Sequence, residues 1–331
     1  MGDGDHGAGG LGATAAPPPF DPELAAALAA LGEGARAPIT PEGLAAWQER
    51  DAAARPRPTV EALRDGGRFE VAELDAEGVR LVGARPAGSD GPLPLLYYLH
   101  GGGLVGGNAW SVLPRLLREL AEPLGIAVVS VAYRRAPAAP YPAAVEDSLA
   151  GLRWTIGHAK RLGIDAGRVV VGGKSAGGGL AAALALLVRD RGGPVPAGQL
   201  LLSPMLDDRN DSFSAHQLAG HDTWDRTSNA TAWQAALGER RGTVGLPPYA
   251  APARATDLSG LPPAYVEVGS AETFRDEAVA YADALWRAGG EAELHVWPGA
   301  FHGFDTIAPG AALSRDARDA RLRWLRRILA R

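Results

Sequence analysis

Ser175 stands in the run Gly173-Lys174-Ser175-Ala176-Gly177, between an apolar run, RVVVG, and an Ala/Leu-rich stretch. A serine on a sharp strand-to-helix turn needs small neighbours, because the backbone there is strained and closely approached. Such a turn exposes the hydroxyl, and the helix N-terminus beneath it favours developing negative charge. A phosphate-binding loop is the competing reading of Gly173-Lys174-Ser175. It requires glycine five positions before Gly173, where Arg168 stands, so the match fails.

Upstream, His100-Gly101-Gly102-Gly103 directly follows the run LPLLYYL. Glycines after a strand free backbone N–H groups to point into a site, and two of these with that of Ala176 could hold an oxyanion. Losing one such donor typically costs on the order of 3 kcal/mol of transition-state stabilisation. The expected general base is His302, in the turn Pro298-Gly299-Ala300-Phe301-His302-Gly303-Phe304. His158 and His295 fit a helix and a strand, while His216 and His221 lack a third metal ligand at a persuasive spacing. The orienting acid belongs between serine and histidine in chain order, after the penultimate strand. Glu272 is nearest that strand end, with Asp276 in reserve.

These residues need an α/β scaffold, and the patterning supplies one. Strands are expected near 68–74, 79–85, 93–99, 126–132, 168–173, 198–203, 263–269 and 292–297. The middle ones are nearly continuous apolar runs, as parallel strands covered on both faces should be. The earliest two are close enough in sequence to be antiparallel neighbours at one edge. Helices are expected near 142–162, 175–191, 271–288 and 311–329, and before the first strand near 22–31 and 41–53. Residues 1–19, rich in Gly, Ala and Pro, are expected to be disordered. The polar stretch between the strands near 203 and 263 is too long for a simple connection. Segments 20–60 and 207–250 are therefore expected to form a helical cap over a catalytic core of 61–206 and 251–331.

The composition sets further bounds. With 331 residues, 46% hydrophobic and 21% charged, the chain can bury a full core. A net charge of -5 argues against nucleic acid and acidic membranes as partners. Zero cysteines exclude disulfides, thiolate metal sites and a cysteine nucleophile. The acid-bearing N-terminus is unlike a signal peptide and no apolar run reaches bilayer length, so a cytoplasmic location without stable membrane insertion is expected.

Taken in order, these motifs resemble the hormone-sensitive-lipase-like branch of the α/β-hydrolases, which includes many microbial carboxylesterases. The resemblance spans roughly residues 60–330. It includes Tyr133-Arg134-Arg135-Ala136-Pro137 and Tyr141-Pro142-Ala143-Ala144-Val145-Glu146-Asp147, as well as Leu261-Pro262-Pro263-Ala264-Tyr265 and Arg275-Asp276-Glu277. It implies a mostly parallel eight-stranded sheet flanked by helices, with a helical cap and no cofactor. It also implies Ser175 as nucleophile, His302 as base, Glu272 as acid, and an oxyanion hole of Gly102, Gly103 and Ala176. One position departs: the family usually carries an acid before the serine, and here it is Lys174. A reversed ion pair with Asp147 or Asp207 is one expectation for it, an unusual Ser/Lys base the other.

The expected reaction is hydrolysis of a short-to-medium acyl ester through an acyl-enzyme on Ser175. Trp110, Trp224 and Trp233 are the candidates to line the substrate pocket. An alternative keeps the site but passes or eliminates the acyl group in a natural-product pathway. A ligand-binding module is disfavoured, since nucleophile, base and acid all remain. The apolar terminal stretch 322–329 permits a homodimer, or packs on the sheet.

Overall fold

The computed structural model describes residues 15–331, and most of the segment expected to be disordered lies outside that range. Among these residues, eight strands form one sheet: β1 (Phe69–Ala76), β2 (Val79–Pro86), β3 (Leu93–Leu99), β4 (Ala127–Val131), β5 (Ile164–Lys174), β6 (Gly198–Leu202), β7 (Ala264–Gly269) and β8 (Ala292–Trp297). Their order is β1-β2-β4-β3-β5-β6-β7-β8. Strand β2 runs antiparallel to both neighbours, and every other pairing is parallel. The mostly parallel sheet with an antiparallel edge is thus as expected.

Side chains leave successive strand residues on opposite faces, and β3 shows what this builds. Leu95, Tyr97 and Leu99 enter one apolar cluster, while Leu96 and Tyr98 enter the other. The helices are α1 (Pro22–Ala30), α2 (Leu44–Ala54), α3 (Val60–Arg64), α4 (Leu113–Leu116), α5 (Glu122–Leu124), α6 (Ala143–Gly157), α7 (Ala159–Leu162), α8 (Ala176–Arg191), α9 (Phe213–Gln217), α10 (Arg226–Leu237), α11 (Arg275–Arg287), α12 (Phe304–Ile307) and α13 (Ala312–Leu329). Helices α6, α8 and α11 cover the first cluster. The second is covered by α4 with the turn that follows it, and by α13. Of the expected dimer stretch, Trp324, Leu325, Ile328 and Leu329 are buried in this second cluster, so that face serves the core.

The order β4-β3-β5 places a switch in winding direction at β3, because the chain builds outward from it on both sides. Open α/β sheets offer a crevice at the carboxyl ends of strands at such a point. The glycine loop after β3 and Ser175 after β5 lie there on neighbouring strands, with Leu99 opposite Gly173. The segments flanking the core meet one another: the Ile39 N–H donates to Ser228 Oγ, and Thr231 Oγ1 donates to the Ile39 carbonyl.

Helix α8 crosses the sheet at very close range. A Cβ on Gly177 would come within 2.0 Å of the Leu99 carbonyl oxygen, whereas one on Gly157, at the end of α6, would meet nothing within 4 Å. Gly177→Ala is therefore expected to lower the unfolding free energy by about 1–3 kcal/mol. Gly157→Ala is expected to raise it by about 0.5–1 kcal/mol. Urea denaturation of the two variants checks both signs.

Candidate active site

Ser175 adopts φ 59° and ψ −124°, which a side-chain-bearing residue rarely takes, and its neighbours hold it there. Its N–H donates to the Leu202 carbonyl at 2.8 Å, and its own carbonyl accepts from Gly179 at 3.0 Å and Met205 at 3.1 Å. A Cβ on Gly173 would sit 2.3 Å from the Gly177 carbonyl oxygen, so the turn closes only with glycine at that position. The long helix α8 begins at Ala176, directly behind the serine.

The loop after β3 lies against this turn. A Cβ on Gly101 would stand 3.4 Å from that of Ser175. Gly102 and Gly103 have φ of 121° and 60°, and the Gly102 carbonyl turns away to accept from Val105 and Gly106. Among the described residues, the N–H groups of Gly102, Gly103 and Ala176 have no protein acceptor. They are available to an oxyanion.

Supports on both sides fix the loop. The Tyr133 hydroxyl donates to the His100 carbonyl at 2.6 Å, and its ring stacks on His100 with centroids 4.1 Å apart. Burial lowers the His100 pKa to about 3, so that imidazole is neutral. From α2, Gln48 donates to the Val105 carbonyl at 2.8 Å and Asp51 accepts the Gly107 N–H at 2.7 Å. Arg135 donates to the Gly107 carbonyl at 2.7 Å. Asp147 is held by Arg134 at 2.7 Å.

Glu272 and His302 come together on the loops after β7 and β8. His302 Nδ1 and Glu272 Oε1 are 2.7 Å apart. Glu272 is fully buried, and its other oxygen accepts from the Gly269 N–H at 2.7 Å and Ser203 Oγ at 3.0 Å. An ionised acceptor at Nδ1 keeps the proton there and leaves Nε2 as the basic nitrogen. Asp276, the reserve acid, instead accepts from the Ser214 N–H at 2.6 Å and from Arg275. No direct hydrogen bond joins Ser175 Oγ to His302, a contact that often tightens only with substrate bound. Their chain neighbours are tied, however.

That tie runs through Lys174. Its ammonium pairs with Asp305 and donates to Thr306 Oγ1 at 2.8 Å, on the helix that follows His302. The expected partners are otherwise engaged, Asp147 with Arg134 and Asp207 with Arg209. The ammonium's commitment to Asp305 and Thr306 also leaves the Ser/Lys base without support. Asp305 meets Arg115 at 2.9 Å and Arg321 at 2.7 Å as well. Burial opposes its charge, yet Lys174, Arg321 and Arg115 hold the carboxyl well below the usual range. Burial lowers the Lys174 pKa, against the pull of Asp305.

The three tryptophans separate. Trp224 lies over the glycine loop, where a Cβ on Gly103 would come within 2.4 Å of its ring, and it meets Trp47 edge-on at 6.1 Å. Trp110 does not reach the site: it is in the cluster on the opposite sheet face, donating to Glu73 at 3.2 Å beneath Arg57. Trp233, on α10, is 1% exposed and packs in the first apolar cluster. A small apolar cavity of about 30 Å³ lies between Leu104, Tyr141, Leu180, Leu237 and Tyr249. A larger open groove of about 630 Å³ at the β1 edge, lined by Asp75, Trp154, His158 and Arg161, contains none of the candidate catalytic residues. Gln48, Asp51 and Asp222, which hold the site loops, gave no sequence signal, since isolated polar residues in helical or polar stretches read as solvent-facing.

A family model for the alpha/beta hydrolase fold matches residues 96–306. The chain is 38% identical over 239 residues to the carboxylesterase NlhH of Mycobacterium tuberculosis, covering 72% of this chain and 74% of that protein. It is 36% identical over 241 residues to the esterase LipI of the same organism, covering 71% and 73%. Among solved structures, a bacterial heroin esterase superposes with a TM-score of 0.83 at 37% identity, covering 94% of this chain and 98% of that one. This protein therefore belongs to the α/β-hydrolase family. Within it, the hormone-sensitive-lipase-like resemblance read from its motifs is borne out.

The charge cluster around Asp305 gives a test of its own. Asp305→Asn leaves Lys174, Arg115 and Arg321 facing one another without their shared anion, and is expected to cost about 3–5 kcal/mol of stability. Lys174→Met, which leaves Asp305 two cations, is expected to cost less. Chemical denaturation of both variants gives the ordering.

Proposed function

We propose that this α/β-hydrolase, a serine carboxylesterase, cleaves small esters of short acyl acids through an acyl-enzyme on Ser175. The observation that carries the reading is the buried Glu272–His302 pair beside a serine turn bordered by free N–H groups. His302 Nε2 takes the proton of Ser175 as its oxygen attacks the ester carbonyl. The N–H groups of Gly102, Gly103 and Ala176 receive the oxyanion, and Glu272 stabilises the imidazolium without taking its proton. His302 then protonates the departing alcohol, and later deprotonates the water that releases the acid.

Residues 20–60 and 207–250 act in this reading as a cap, and Trp224 is its contribution to the site. The cavity beside Leu104, the residue after Gly103, supports the short acyl chain. Its volume of about 30 Å³ is room for on the order of two water molecules. No described helix is long and apolar enough to cross a membrane. A cytoplasmic setting belongs to the proposal and rests on sequence alone. A homodimer also belongs to the proposal, and what supports it is the edge position of β8 among the described strands, with Val296 on it and Trp286 nearby exposed.

Release of p-nitrophenol from acetate through decanoate esters tests the reading. Turnover is expected to peak at the shortest chains. Ser175→Ala is expected to lose about 10⁶-fold in kcat, and Glu272→Gln about 10⁴-fold by releasing the wrong histidine tautomer. A serine-directed phosphonate that leaves Ser175 unlabelled, with no ester turned over, would sink it.

A further inference from the structure

The loop between α9 and α10 reaches into the gap between the two loops that carry Glu272 and His302. Asp222 sits on it with only 1% of its surface exposed. Its Oδ1 accepts the backbone N–H of His302 at 2.9 Å and that of Thr223 at 2.7 Å. Its Oδ2 accepts the N–H of Thr273, the residue after Glu272, at 2.9 Å. The hydroxyl of Thr223 donates back to the His302 carbonyl. One carboxylate from outside the α/β core thus holds the acid loop and the histidine loop together.

The chemistry required at this position is specific. Both side-chain oxygens face N–H donors, so the group must accept at both ends, as an ionised carboxylate does. Asparagine would set its own N–H₂ against an N–H. The ionisable side chains facing Asp222 are Glu272 from the loop after β7 and His302 from the loop after β8. On its own segment, Asp225 is engaged in capping α10 and His221 is exposed. Burial pushes the Asp222 carboxyl up to about 6, and Glu272 adds to the rise, while His302 and the backbone donors oppose it.

We infer that Asp222 is a positioning residue for the reaction, holding the His302 backbone and adding, beside Glu272, a second negative charge that stabilises the imidazolium. This rests on the esterase reading of the same site. A mere staple between cap and core would need the hydrogen bonds but not the charge. The two roles differ in what they do to the histidine's titration. Removing a nearby negative charge lowers the pKa of an imidazolium, whereas loosening a staple does not.

The test is Asp222→Asn, with folding checked by circular dichroism and the pH profile of kcat/KM measured on p-nitrophenyl acetate. The expected result is a kcat about tenfold lower with KM nearly unchanged, and an acid limb moved down by roughly half to one pH unit. An acid limb that stays in place overturns the inference, whatever happens to stability. Should that variant fail to fold, Asp222→Ser, which keeps a hydrogen-bond acceptor without the charge, is read in the same way: a limb moved down supports the role, and a limb that stays in place overturns it. A wild-type protein that neither turns over ester nor takes up phosphonate removes the esterase reading and this inference with it. An active wild type with an unshifted variant removes this inference alone.

Discussion

Much of this structure follows from holding one serine in a backbone conformation it would not choose. A non-glycine residue in such a region costs on the order of 1–3 kcal/mol, and persists only where its surroundings over-determine it. At Ser175 the determination comes from three backbone hydrogen bonds, to Leu202, Gly179 and Met205. Strand β6 and the loop after it must therefore stand beside the turn, which the sheet order provides. Tight closure also rules out side chains at Gly173 and Gly177, because the carbonyls of Gly177 and Leu99 already occupy the space. The glycine loop after β3 then lies against the serine, because β3 and β5 are neighbours in the sheet.

Beneath that turn lies a group of buried charges whose arrangement explains Lys174. Asp305 receives Lys174, Arg115 and Arg321, while Arg321 also pairs with Glu267 on β7. Buried ions are tolerated only when paired and hydrogen-bonded. The cluster meets that condition by linking the strand before the serine, the helix after the histidine, β7 and α13. With a cation at 174 the helix after His302 supplies the anion, so the tie to the nucleophile turn has the opposite sign from an acid at that position. The ion pair that results joins the chain on either side of the proposed nucleophile and base.

Residues before β1 and between β6 and β7 hold the loops of the candidate site. Asp51 and Gln48 on α2 bind the glycine loop, and Asp222 binds the loops of Glu272 and His302. Trp224 and Trp47 fill the space over Gly103 and Gly106, where glycine leaves room for an aromatic ring. Both halves of the site thus depend on contacts from distant parts of the chain.

All eight strands could be read from the sequence to within a few residues, because buried parallel strands are nearly continuous apolar runs. Ser175, the glycine loop, Glu272 and His302 were legible for a different reason. Each lies just beyond a strand end, in a short run whose residue types are constrained by local backbone geometry. Helix α3, the helical stretch around 113–124 and the short helix after His302 were not read, since short helices owe their stability to packing more than to local pattern. The sequence could not say which tryptophan meets the site, because the sheet face on which each lands depends on chain paths far from it. Nor could it pair Lys174 with Asp305 or carry Asp222 to His302. Strand runs and turn chemistry are set by neighbours along the chain, and so the sequence by itself determined the strands, the long helices and the candidate reactive residues. Ion pairs and hydrogen bonds between residues 80 or 131 positions apart arise only when the sheet brings their loops together, and only the tertiary structure decided those.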